Sequence, residues 1–404
     1  MNKGFFTKKE TESKSRPKGK TYSCASCGLL PNTLNPNFGV TGKGKKKIMI
    51  VGSSNSSTED QRMKHWQGSI GRLLKSAFGE FNIDLEKDCW SINAVSCVCS
   101  DEKGVSGYEV ECCRKNVEKA IKELQPKLIF VLGSSALYSL IGNKYSGSLG
   151  EFAKWRGWAI PDVDNNCWIC PVFTPSFVDE AKGAETSLIW SQDIERGLEK
   201  LDCDLPNYDK PQIVDISEDL SPLLNIEQGV VSIDYETTGL KPHGKGHQIV
   251  CASVAIGQTF AYTFMIPKSR ADCLPFIRLL ENPNIGKMAH NMKFEDAWTN
   301  VRLRTPVVNW EWDSMQAAHI LDNREGITGL KFQAYIRFGV GDYSSEISSY
   351  LKGVDKKNAN SLNKVLELCE TKDGRGKLLR YCGLDTIYQY RLAMLQQDEI
   401  LSPF

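Results

Sequence analysis

Between residues 47 and 201 the chain repeats one local pattern, a short apolar run followed by a stretch with helical spacing. KIMIVGSS (47–54) precedes GSIGRLLKSAF, WSINAVSCV precedes the charged YEVECCRKNVEKAIKELQ, and KLIFVLG runs directly into SSALYSLIG. WICPVFTPS is a fourth apolar run, and SLIWSQDIERGLEKL a last helix ending near Leu201. Strands that alternate with helices at this spacing predict a parallel sheet covered on both faces, a three-layer α/β/α sandwich. DCDLPNYDKPQ, with two prolines and no apolar period, reads as a linker at 202–210 between a domain at 22–201 and a second at 211–404.

The second domain opens on IVDISEDLSPLL. GVVSIDYETTGL and QIVCASVAIGQTFAYTFMI then read as adjacent strands, ADCLPFIRLLEN as the first clear helix, and the remainder as mainly helical. In the first of these strands Asp234 and Glu236 are two residues apart, so they share a face. Neighbouring carboxylates repel and raise each other's pKa unless a cation stands between them, so the stretch asks for a metal. A mere solvated strand edge fits poorly with the apolar GVVSI before them. HNMKFEDAW adds Glu295 and Asp296, and YCGLDTIYQYRL adds Asp385 with Tyr381 four residues earlier, on the same face of a helix. An oxygen-rich pocket of this kind suits Mg2+ or Mn2+.

Composition is ordinary for a globular chain of 404 residues, 41% apolar and 25% charged, with a formal charge of +1. That charge supplies no overall field for nucleic acid, so any such contact must come from local basic patches. Residues 1–21 form one, expected to be a flexible tail. No apolar h-region opens the sequence and no run of eighteen apolar residues occurs, so secretion and membrane spanning are not expected and a cytoplasmic location is. Fourteen cysteines without an export signal point to metal binding or burial rather than disulfides.

The segments SIDYETTGL, AHNMKFEDAW and Y-C-G-L-D, in that order, resemble the three motifs of DEDDy 3′–5′ exonucleases, especially the proofreading domain of family A DNA polymerases. The resemblance runs from Pro211 to Gln397 and implies an RNase H-like mixed sheet with two-metal phosphodiester hydrolysis. It implies that Asp234 bridges the ions, that Glu236 and Asp385 complete the first site, and that Tyr381 orients the attacking water. In the second motif the family has Asp four residues after Asn; here Asn291 plus four is Glu295, with Asp296 as the substitute. Asn291 itself is expected near the nucleic acid. Asp313 is a helix N-cap or a support for the site, and His290 and His319 are expected to be structural.

In the first domain Cys24, Cys27, Cys97 and Cys113 resemble the four ligands of family 4 uracil-DNA glycosylases. The resemblance, from Tyr22 to Leu201, implies a [4Fe–4S] cluster, with zinc as the alternative. Cys99 and Cys112 are adjacent substitutes, and Cys167 and Cys170 are expected to be buried strand residues. Trp66 stands where the family stacks a Phe on the flipped base, and Asn93 where an Asn reads the uracil edge. The family's acid is replaced by Ser53 and its His by Thr174, and a neutral hydroxyl is a poor partner for a departing anion. The expectation is a DNA-binding domain poor in uracil excision. Both modules together resemble the front ends of some bacteriophage polymerases. No polymerase text follows the third motif, so a separate DNA polymerase is an expected partner and DNA 3′ ends the expected substrate, with RNA open. An accessory subunit with a weak or silent nuclease is the alternative that the Glu295 departure keeps in play.

Overall fold

In the computed structural model residues 22–99, 104–145, 147–355 and 360–401 are described. The basic stretch at 1–21 lies outside them. The chain forms two units, Met1–Pro206 with Tyr335–Gly341, and Asn207–Ala334 with Asp342–Phe404.

The first unit holds strands β1 (Ile48–Asn55), β2 (Cys89–Val98), β3 (Leu128–Leu132), β4 (Ile160–Asp162) and β5 (Cys167–Val172), in the order β2-β1-β3-β5-β4. β1 runs parallel to β2 and β3, and β3 to β5, while β4 lies antiparallel on β5. Ile48 to Val51 are 0% exposed, as they must be in a strand covered on both faces, which is why the sequence shows an unbroken apolar run there. β4 was not anticipated: three residues with a central proline carry no period, and proline is tolerated only at an edge like this one. The helix Gly107–Leu124 starts at a capping box between Ser106 and Glu109 and stops at Gln125, whose φ of 48° precedes Pro126.

The second unit holds β6 (Gln212–Asp215), β7 (Gly229–Thr237), β8 (Ile249–Ala255), β9 (Phe260–Met265), β10 (Ile285–Ala289) and β11 (Trp310–Asp313), in the order β11-β10-β7-β8-β9-β6. β8 is antiparallel to both β7 and β9; the remaining pairs are parallel, so the sheet is mixed. β10 and β11 correct the mainly helical reading of this region. Their signal is masked by charge: Lys287 sits in the middle of β10, wholly buried, with its ammonium on the Asn282 carbonyl at 2.5 Å, and β11 reads WEWD. Val231, Ile233 and Tyr235 of β7 enter an apolar core with Phe264, Phe276 and Trp298. The helix Lys372–Leu401 packs on β7, β8 and β9. Among the described residues no helix is long and apolar enough to cross a membrane.

Candidate active site

Alternation along β7 sends Asp234 and Glu236 to the face opposite the apolar core formed by Ile233 and Tyr235. The helix Lys372–Leu401 supplies Tyr381 and Asp385 one turn apart, 6% and 8% exposed. A carboxylate oxygen of Asp234, one of Glu236 and the Cys382 sulfur lie within 4.8 Å of one another. Burial first, and then the Asp385 charge, pushes the Asp234 carboxyl well above the usual range. Glu236 is raised by burial and then by Asp234. Asp385 is raised by burial, against the opposing pull of Lys331, Tyr343 and Tyr381.

Glu295 comes from the short helix Met292–Trp298. It is 3% exposed, its Oε2 has no hydrogen-bond partner, and its carboxyl is raised by burial and then by Asp234. Asp296 faces elsewhere: it accepts from the Trp310 indole at 3.1 Å and from the Asn300 amide at 3.0 Å. Adjacent helical residues point about a quarter-turn apart, so Asp296 is turned toward Trp310 of β11 while Glu295 is turned inward. Asn291 turns the chain into this helix with φ 74°. Asp313 does both things expected of it: it caps the helix Ser314–Leu321 through the Met315 and Gln316 N–H groups, and it accepts the Asn291 and Met292 N–H groups at 3.0 Å, which fixes the approach to Glu295. His290 is held on Ser314 at 2.9 Å and burial takes its pKa down to about 4, so it is neutral; His319 is exposed.

Two residues were missed from the sequence. Lys331 donates to the Tyr381 hydroxyl at 2.6 Å, and its charge favours ionisation of Asp234, Glu236 and Asp385. Tyr343 donates to Asp385 and its ring lies 5.8 Å from that of Tyr381. Neither belongs to a spaced motif; each reaches the site through tertiary packing, leaving no local signal.

In the first unit Cys24 and Cys27 flank a single 3-10 turn, Cys97 ends β2 and Cys113 lies on the helix Gly107–Leu124, and the four converge. Burial, and then the neighbouring Cys24, Cys97 and Cys112 sulfurs, raise Cys27 against the Leu29 N–H. Burial pushes Cys113 up to about 11, with Cys97, Cys27 and Cys24 adding to it. Leu29, Val95 and Val110 wall the cluster. Cys167 and Cys170 are buried on β5. Trp66, with φ 59°, donates its indole N–H to Ser91 at 2.8 Å. Its ring tip and the Asn93 side chain close over Gly52, where an added Cβ would meet Asn93 at 2.2 Å and Trp66 at 2.7 Å. Asn93 gives its amide to Asn55 at 2.7 Å. The Thr174 hydroxyl caps the helix Pro175–Ala181, accepting from Phe177 at 3.2 Å. A cavity of about 1000 Å³ is lined by Trp66, His65 and Ser91, and leaves out Gly52, Asn93 and Thr174.

Residues 38–192 match the model of the uracil DNA glycosylase superfamily, and residues 211–398 match that of a 3′–5′ exonuclease family. The chain joins a uracil DNA glycosylase superfamily domain to a 3′–5′ exonuclease domain. The type-4 uracil-DNA glycosylase of Sulfurisphaera tokodaii is 28% identical over 135 residues, 32% of this chain and 60% of that protein. The DNA polymerase of Bacillus phage SP01 is 22% identical over 357 residues, covering 78% of this chain, across both domains, and 37% of the polymerase. The chain thus spans less than two thirds of either relative. Escherichia coli RNase D is similar in structure to 48% of the chain and 46% of its own, at 14% identity and a TM-score of 0.35.

The exonuclease domain offers a direct check on its two adjacent acids. Glu295→Ala is expected to lower divalent-dependent turnover by roughly a hundredfold, the scale of losing one preorganised electrostatic group. Asp296→Ala is expected to leave turnover within about twofold and to cost about 1 kcal/mol of stability through its hydrogen bonds. Steady-state rates and thermal melts of the two variants check both; equal rate losses would show that the pair is not divided in this way.

Proposed function

We propose that the exonuclease domain removes nucleotides from DNA 3′ ends by two-metal phosphodiester hydrolysis. The observation that carries this is the meeting of acids from three separate segments, Asp234 and Glu236, Glu295, and Asp385, beside Tyr381 on one buried face. The Asp234 and Glu236 oxygens lie within 4.8 Å of one another, Asp385 and Glu295 are near enough to Asp234 for charge to act between them, and Glu295 keeps one partnerless buried oxygen, a set that suits Mg2+ or Mn2+. When bound, such ions lower the pKa of a water and neutralise the phosphate. The Asp234 charge acts on Glu236 and Glu295, and that of Asp385 on Asp234, so Asp234 is the acid that would hold divalent ions together with the others. Because Lys331 occupies a lone pair of the Tyr381 oxygen, the Tyr381 proton is left to point away from Lys331, toward Asp385 or a water held beside it. Incubation of a 5′-labelled single strand with Mg2+ or Mn2+ tests this: a ladder shortening from the 3′ end is expected, and an intact strand would overturn it. A matched RNA strand distinguishes the two backbones.

We further propose that the glycosylase-like domain binds DNA but excises uracil poorly. Trp66 and Asn93 fill the space over Gly52, Asn93 is committed to Asn55, and Thr174 is committed to a helix cap, so neither Asn93 nor Thr174 stands ready for a departing base anion. A uracil-containing duplex is expected to give no abasic sites above background, read by alkaline cleavage. The converging thiols of Cys24, Cys27, Cys97 and Cys113 suit a [4Fe–4S] cluster, with zinc as the alternative that an iron assay separates. The span of the similarity to a phage DNA polymerase across both domains supports a polymerase as the working partner.

A further inference from the structure

The exonuclease domain carries a second feature that the hydrolytic site does not use, a cavity of about 700 Å³ with Lys268, Arg270, Arg302 and Arg304 in its wall and no acidic side chain. All four are exposed, and among the described residues none makes an ion pair. Lys64 and Lys75 in the other domain, by contrast, are balanced by Glu86. Here the partners are neutral. Arg270 donates to the Leu303 carbonyl and to Thr305 Oγ1, and Arg302 to the Gly244 carbonyl at 2.8 Å. These bonds fix the guanidinium groups without cancelling their charge.

The backbone contributes to the arrangement. The helix that bears Glu295 passes into a π-helical turn, Thr299–Leu303, which ends on Arg304 with φ 52°. A π turn re-aims the side chains that follow it, and a left-handed arginine costs about 1 kcal/mol over its ordinary conformation. Arg302 and Arg304 are therefore set on the same rigid segment as a carboxylate of the candidate metal site. On the other side, Ile249 of the cavity wall pairs with Thr237, the residue after Glu236. Since β8 is antiparallel to β7, the basic cavity lies at the same end of β7 as the carboxylates.

We infer that this cavity holds the phosphodiester backbone of the strand whose 3′ end lies at the carboxylates, upstream of the bond that is cut. The inference rests on the exonuclease reading. Four cations, two of them held in place by hydrogen bonds and none in an ion pair among the described residues, match successive phosphates, a contact that does not depend on sequence.

The test uses the full chain with Lys268 and Arg304 both changed to Ala, since neither makes a side-chain hydrogen bond in the structure and neither belongs to the hydrolytic machinery. KM for a long oligothymidylate is expected to rise roughly tenfold with kcat unchanged, and the salt slope of log affinity, measured by anisotropy in EDTA, to shrink by roughly 1.4 for two lost phosphate contacts. Turnover of a dinucleotide, too short to reach the cavity, is expected to stay at the wild-type level and reports that the variant is folded. Lys268→Arg with Arg304→Lys is expected to restore the slope. Unchanged KM and slope would overturn the inference, as would an equal rise of KM on the dinucleotide, which would assign the cavity to the reacting end. If the wild type cuts no substrate with either metal, the exonuclease reading fails on that result, and the EDTA salt slope still decides whether the cavity binds the backbone.

Discussion

Replacing Asp234 with Ala is expected to reduce divalent-dependent degradation of a 5′-labelled strand by roughly a thousandfold, the upper range for removing one electrostatic group from a preorganised site. The Asp234 charge raises both Glu236 and Glu295 and is itself raised by Asp385, so its loss disconnects the set rather than trimming it. The same substitution is expected to raise the melting temperature of the metal-free protein. Without ions, these buried carboxyls are held together against mutual repulsion, offset only by Lys331, and deleting one relieves it. In the wild type, Mg2+ at a hundredfold excess over its Kd is expected to raise the melting temperature by on the order of 5–10 °C. In the Asp234→Ala protein that rise should nearly vanish. A variant that lost activity but kept the full Mg2+ response would show that Asp234 acts on the substrate without holding an ion.

The pH dependence follows from the same shifts. Asp234, Glu236, Glu295 and Asp385 all have folded-state pKa values raised above their unfolded ones. The folded, metal-free protein thus binds more protons than the unfolded chain over this interval. Their contribution to stability is fully present below the ordinary carboxylate range and is lost as pH rises through the raised values. Bound Mg2+ selects the ionised forms and reverses the trend. Melting curves in EDTA should therefore fall with rising pH where those in Mg2+ do not, and parallel curves would argue against a shared carboxylate site.

The acids that were legible from the sequence are those on elements whose geometry is fixed by local period. A strand puts Asp234 and Glu236 on one face, and a helix does the same for Tyr381 and Asp385, whatever surrounds them. The choice between Glu295 and Asp296 was not local: it depends on which way a short helix is turned, and that is set by Asp313, twenty-two residues beyond Asn291 in the chain, gripping the N–H groups at its start. Lys331 and Tyr343 were silent for the same reason, since their only link to the site is packing against the helix Lys372–Leu401. In the glycosylase-like domain the parallel strands were plain because covered strands are apolar without interruption. Whether Trp66 stands open to receive a base or closes over Gly52 depends on a tertiary hydrogen bond to Ser91, which no spacing rule contains. β10 was hidden by a lysine that is wholly buried, a placement so unfavourable without the Asn282 carbonyl that composition argues against it.

Protein purified without oxygen is expected to be brown and to carry about four iron atoms per chain, and Cys97→Ser to lose most of them. The thiols of Cys27 and Cys113 are raised by burial and by one another, so the apo site disfavours the thiolates that a cluster requires. Binding must therefore release protons, and iron retention is expected to weaken as pH falls. The segment that precedes β1 is anchored near its end by backbone bonds of Thr41 with Ser91 and of Gly44 with Cys89, and before residue 40 by fewer contacts. It contains two 3-10 turns and is tied down by the Leu34 and Asn35 N–H groups on the Asp60 carboxylate, at 2.8 and 2.9 Å, and by Thr33, which accepts from Val98 at 3.2 Å. A cluster joining Cys24 and Cys27 to the end of β2 and to the helix Gly107–Leu124 adds the free energy of metal binding to that short inventory. Its loss should open residues 22–40 to proteolysis well before the sheet unfolds, while the Mg2+-dependent rise in melting temperature, which depends on Asp234, persists. Limited proteolysis of wild type and Cys97→Ser, followed by iron and sulfide assays, gives the result: one tightly held zinc per colourless chain would replace the iron–sulfur assignment, and equal protease resistance of the two proteins would show that the four thiols do not brace the segment.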